Sequence, residues 1–94
     1  MIIVRSIFVA KPGQASKLAA QIKEAAGIMG YVNPRVLTDL MGQFNRVIVE
    51  HSVENLADME ARMQKYAHDP AIQEKMKGYT DLWETGCREL LRVM

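Results

Sequence analysis

The side chains best suited to chemistry in this sequence are few and scattered along it. His51 titrates near neutrality, which makes it the best single acid–base candidate, although a lone histidine at a strand end is commonly structural. Arg5, Asp39, Arg46 and Glu50 combine forked guanidinium donors with carboxylates. An arginine there can hold a carboxylate or phenolate ligand, and a carboxylate can act as a base. The plainer account is that these arginines and acids pair with one another, since lone charges in a low-dielectric interior are costly. Tyr79 and Trp83, four apart at helical spacing, can wall a ligand mouth or equally serve core packing or a dimer seam. His51 and His68 lie in distant segments with no His-x-x-x-His or carboxylate cluster, so no metal site is expected. The single Cys87 excludes an internal disulfide and has no histidine nearby in sequence, so it reads as an inert buried thiol. The glycines lack the spacing of a phosphate-binding loop, and no cofactor is expected.

The elements that must position these residues follow from periodicity. Residues 2–10 are a β-branched apolar run and predict a strand, stopped at Lys11-Pro12-Gly13. Ala15, Leu18, Ala19, Ile22, Ala25, Ala26 and Met29 then form one helical stripe, which Gly27 or Gly30 ends. After a turn at 31–34, strand-like runs at 35–41 and 44–52 flank Gly42-Gln43, which reads as a short hairpin connection. Asn55 predicts an N-cap with Asp58 favouring the helix dipole. Leu56, Met59, Met63 and Tyr66 continue at helical spacing, the methionines reading as flexible core filler. Asp69-Pro70 breaks and restarts the helix, with Ile72, Met76, Tyr79 and Leu82 following. Gly86 is expected to end the helical part and 87–94 to form the last strand. The order βαββαβ predicts one α+β domain over residues 1–94, a four-stranded antiparallel sheet with both helices on one face.

Alternation assigns the faces. Val4, Ser6 and Phe8 share a phase with Val36, Thr38, Leu40, Val47, Val49 and His51, which should lie beneath the helices. The opposite phase mixes five charges (Arg5, Arg35, Asp39, Arg46, Glu50) with Ile7, Val9, Leu37, Met41 and Ile48. So much apolar surface exceeds what a water-facing sheet usually carries. Covering several hundred Å² of it, at ~25 cal/mol per Å², would contribute several kcal/mol. A second copy on a two-fold axis is the simplest cover, so a homodimer is expected, with the charged residues lining a cavity between the sheets. Two phases are open for the last strand: Arg88, Leu90 and Arg92 join this cavity face, or Cys87, Glu89, Leu91 and Val93 do. The first is preferred, with the cost of burying a glutamate as the criterion.

Composition narrows the partners. A formal charge of +1 on 94 residues lacks the basic excess of a nucleic-acid binder. No apolar run approaches the ~20 residues that cross a bilayer, and the first residues do not resemble a signal peptide. With one cysteine, the expectation is a cytoplasmic protein that engages neither nucleic acid nor membrane.

The opening strand into Lys11-Pro12-Gly13, the stretch from Arg35 to Asn45, Asp69-Pro70 onward, and the run from Gly86 to Val93 together resemble the dimeric α/β-barrel superfamily. This superfamily includes antibiotic-biosynthesis monooxygenase-like domains, and the likeness is nearest to its NIPSNAP-like branch. It implies a ferredoxin-like fold and a two-fold dimer, and says little about reaction. The haem-degrading branch has an asparagine on the first strand and a tryptophan followed by a histidine on the second helix. Here the strand lacks asparagine and His68 precedes Trp83, which speaks against that activity. The leading expectation is a small-molecule-binding protein, with a small organic ligand and no established reaction. The alternative is a cofactor-free monooxygenase-like enzyme acting on an aromatic or conjugated organic acid, with His51 as base and Arg5 or Arg46 stabilising the substrate anion.

Overall fold

A computed structural model describes all residues, 1–94. The chain runs β1 (Ile2–Ala10), α1 (Ala15–Met29), β2 (Val32–Thr38), β3 (Arg46–Val53), α2 (Leu56–His68), α3 (Pro70–Lys75), a 3₁₀ turn (Tyr79–Asp81) and β4 (Trp83–Arg92). The four strands form one antiparallel sheet in the order β2-β3-β1-β4. The expected ferredoxin-like α+β arrangement is therefore present.

Local chemistry fixes the helix ends. Gly30 closes α1 at φ 67°, where a side chain would be strained. The Asn55 side chain accepts a hydrogen bond from the Asp58 N–H at 2.9 Å, capping α2 as expected. Asp69 accepts from the Ala71 N–H at 2.9 Å, and Pro70 occupies the first turn of α3. Asp69 and Pro70 together break one helical region into two.

The core is lopsided. Leu18, Ile22, Ala25 and Met29 of α1 pack with Ile72, Met76 and Leu82 over Ala10, Val47 and Val49. In α2, by contrast, no residue is buried. Its stripe of Met59, Met63 and Tyr66 looks over the sheet without closing onto it.

Several expectations are corrected. The β2–β3 connection is not a tight turn at Gly42-Gln43 but a loop over residues 39–45. Asp39 clamps its base, accepting from the Arg46 backbone N–H at 2.9 Å and from Nη2 at 2.9 Å. That leaves Leu40, Met41 and Phe44 outside the sheet and strongly exposed. Strand β2 begins earlier than expected, at Val32, and absorbs the supposed turn as an irregularity between Val32 and Arg35, where Asn33 has φ 50°. Gly86 does not end a helix. It lies inside β4, where an added Cβ would stand 2.7 Å from the Ile7 carbonyl oxygen. Its role is close approach between strands. Tyr79 and Trp83 are consequently not helical neighbours but flank the entry to β4.

The preferred phase of β4 is also reversed. Ser6 pairs with Arg88 and Arg5 with Glu89, so Arg88, Leu90 and Arg92 share the helix-side phase. The cost of burying a glutamate in fact favours this outcome, since Glu89 on the open face finds Arg5 at 3.6 Å. Cys87 is exposed rather than buried.

Candidate functional site: a cavity between the sheet and the second helix

Because α1 and α3 pack down while α2 does not, a cavity of about 350 Å³ remains between α2 and the sheet. It is within the size range of small-ligand sites, and hydrophobic side chains make up most of its wall. The floor is Val4, Ser6 and Phe8 of β1 with Val49 and His51 of β3; the roof is Met59, Met63 and Tyr66.

Aromatic rings shape both sides. The His51 imidazole stacks on Tyr31, with centroids 3.8 Å apart and planes 3° from parallel. Phe8 meets Trp83 edge-on at 5.5 Å and Tyr79 at 6.4 Å. The edge-on contacts of Phe8 suit the quadrupoles of the rings, and all five of these aromatic residues line the cavity.

The titratable groups are tuned toward their neutral forms. Burial first, then the charges of Arg62 and Arg88, push the His51 pKa down, against a smaller opposing pull from Asp58. Burial raises the Tyr31 phenol. Burial, and then the neighbouring Tyr79 hydroxyl, raise the Tyr66 phenol well above its ordinary value. At neutral pH the wall therefore offers an unprotonated imidazole and intact phenols as hydrogen-bonding groups.

Two arginines stand at the cavity. Arg62 is committed: its Nη1 donates to the Gly30 carbonyl at 2.9 Å, and its Nε lies 3.7 Å from Asp58. It thereby supplies positive charge at the end of α1, whose own last turn has none. Arg88 reaches from β4 to the Ser6 hydroxyl at 3.2 Å and the Met63 sulfur at 3.8 Å.

The structure separates the site residues expected from sequence. His51, Tyr79 and Trp83 come together on the cavity. Arg5 and Glu50 lie on the opposite face, where Glu50 accepts from Arg5 Nε and Arg35 Nη2, both at 2.6 Å. Burdened by burial but favoured by both guanidiniums, with the Arg35 hydrogen bond foremost, the Glu50 carboxyl sits below its ordinary range. Arg46 with Asp39 closes the β2–β3 loop, and its hydrogen bonds hold the Asp39 carboxyl low. Neither Arg5 nor Arg46 is placed to stabilise an anion beside His51; Arg88 is. Sequence reasoning missed Tyr31, which fell in a supposed turn, and gave Arg88 to the wrong face. It took Met59 and Met63 for core. No group of three His, Cys, Asp or Glu side chains is placed to hold a metal ion. No helix is long and apolar enough to cross a membrane.

This order of strands, with the helices on one side, defines a ferredoxin-like fold, and the fold is similar to that of NIPSNAP-domain proteins. Comparison with solved structures gives particular neighbours. An uncharacterised NIPSNAP domain protein from Burkholderia xenovorans superposes with a TM-score of 0.86 at 18% identity, covering 100% of this chain and 95% of that one. A NIPSNAP family protein from Agrobacterium tumefaciens gives 0.85 at 20%, covering 99% and 92%. A Chloroflexus aurantiacus protein provisionally assigned as an antibiotic biosynthesis monooxygenase gives 0.76 at 18%, covering 99% and 93%. At these identities the likeness establishes the fold, in agreement with the resemblance read from the sequence. No family model matches the sequence, and no curated relative does.

Proposed function

We propose that the protein binds a small, largely apolar organic molecule in the cavity between the sheet and α2, and does so as a homodimer. The observation that carries the proposal is a space of about 350 Å³ beneath a helix with no buried residue. An apolar stripe left this loosely covered gains stability when a ligand supplies the missing contacts. The dimer is supported by the other face: Ile7, Val9, Leu37 and Ile48 remain at least partly exposed on it, in a chain that buries 17 of its 94 residues. Native mass spectrometry of the purified protein, repeated after denaturation, tests both parts. A dimer carrying mass that denaturation releases is expected. A monomer at micromolar concentration would remove the homodimer. A bare protein whose melting temperature responds to no apolar probe would remove the ligand.

A second reading, a cofactor-free oxygenase, is favoured by one observation. His51 is buried and unprotonated at neutral pH, and no hydrogen bond contributes to its tuning. A substrate phenol beside it can pass its proton to the free imidazole nitrogen, leaving an electron-rich anion for reaction with oxygen. The depressed pKa limits the driving force of that transfer. Oxygen uptake with a panel of dihydroxyaromatics, lost in His51→Phe, is the expected result; uptake unaffected by that substitution would exclude His51 as the base.

A further inference from the structure

Charge is distributed unevenly around the cavity, and one cation there lacks an acidic partner. Every ion pair of the protein uses other side chains: Arg5, Arg35, Arg46, Arg62 and Lys75 hold the pairs with Glu50, Glu89, Asp39, Asp58 and Glu24. Arg88 has only a neutral hydroxyl on Nε and a weakly accepting thioether on Nη1. Its guanidinium is nevertheless held over the cavity by those contacts, one to the floor and one to the roof, and remains open to solvent. Tyr31, His51 and Tyr66 all feel its charge. With Asp58 committed to Arg62, the cavity keeps one unbalanced positive charge.

We infer that the cavity takes an aromatic monocarboxylate, its carboxylate forked on Arg88 at the rim and its ring between the Tyr31–His51 stack and the Phe8–Trp83 edge. The inference rests on the ligand-binding proposal above. A planar guanidinium favours a carboxylate because two parallel N–H donors meet two oxygens. Aromatic walls on both sides favour a flat body over a flexible chain, which would lose more rotamer freedom on entry. A single acidic group matches the single uncommitted arginine; a second would have to break the Arg62–Asp58 pair or lie against apolar side chains at high cost.

The test uses 2-naphthoate and its neutral isostere 2-naphthamide, titrated calorimetrically at neutral pH against the intact protein. The carboxylate is expected to bind roughly tenfold or more tightly than the amide, the size of one charge-assisted contact. Arg88→Met should bring naphthoate down to the level of naphthamide while leaving naphthamide unchanged. Arg88→Lys, which keeps the charge and guards against a folding artefact, should retain part of the preference. Equal affinity of the two probes for the wild-type protein, or a preference that survives Arg88→Met, overturns the assignment and leaves the cavity as an apolar site. Failure of the wild-type protein to bind either probe overturns the carboxylate assignment together with the pocket for flat aromatics on which it depends.

Discussion

The two faces of the sheet solve the problem of charge and packing in opposite ways. On the open face, Arg35, Glu50, Arg5 and Glu89 pair rung to rung, since Arg35 and Arg5 each oppose Glu50 and Arg5 opposes Glu89. Acid and base alternate across all four strands, and ion pairs link each neighbour. On the helix face, the imidazole and phenols are pushed toward neutrality, Arg88 at the cavity has no acidic partner, and space is left unfilled. The first arrangement is complete in its polar contacts. The second is organised around contacts still to be made, which is the usual condition of a binding surface.

This contrast can be broken or sharpened by substitution. The largest effect is expected where both faces share one backbone. Gly86→Ala places a Cβ 2.7 Å from the Ile7 carbonyl oxygen and must push β4 from β1. A loss of about 2–3 kcal/mol in chemical denaturation is expected, as for other overpacked sites; unchanged stability would mean that the strands have room to part. Next comes the open face alone. Glu50→Gln removes a carboxylate that is 5% exposed and accepts from two arginines. About 1–2 kcal/mol should be lost, toward the lower figure because Arg5 and Arg35 stay partly in water. Naphthoate affinity should not change, and a parallel loss of binding would show that the two faces are coupled.

A substitution on the helix face should behave in the reverse sense. Met59→Phe adds volume toward the cavity from a helix that buries nothing. Stability is expected to hold or rise by up to ~1 kcal/mol as apolar area is covered, while probe binding is lost. Lowered stability would show that the space is smaller than it looks.

Acid should separate the faces by window, with the smallest effect at His51. Its folded pKa lies below the ordinary 6.5, so the unfolded chain binds the proton first. Stability is full above 6.5 and falls as pH drops from there to the folded value. Glu50 is also depressed, from 4.5, so its contribution is present above 4.5 and is lost as pH falls through its lower folded value. Melting temperatures across this range should show a first decline that His51→Phe abolishes and a second that Glu50→Gln reduces. A single decline insensitive to His51 would contradict its burial as a neutral ring.

How much of this was legible in sequence depended on how local the cause was. The caps at Asn55 and Asp69 could be read because a side chain and the backbone a few residues on settle them. The faces of β1 and β3 followed from alternation. Leu40 and Met41 misled, since their apolar side chains prolong the strand-like run while the Asp39–Arg46 contact, a tertiary choice, ends it. Gly86 carries the same letter whether it stops a helix or admits a close strand, and only the neighbour distinguishes the two. The cavity lay beyond the pattern altogether. Periodicity tells which residues of α2 face the sheet, but not that α1 and α3 hold the layer and keep α2 from closing. Arg88 was within reach, since placing Glu89 in water would have turned it toward the helices.

The charged rung has a handedness in one dimension. Read from β2 to β4 it runs plus, minus, plus, minus. Turned about an axis parallel to the strands, the row reverses, and a copy laid face to face presents every charge with its opposite. Turned about an axis along the row itself, the copy presents like against like. The same four side chains that neutralise one another within a sheet therefore distinguish between two mirror-free ways of stacking two sheets, favouring the strand-parallel dyad and penalising the other.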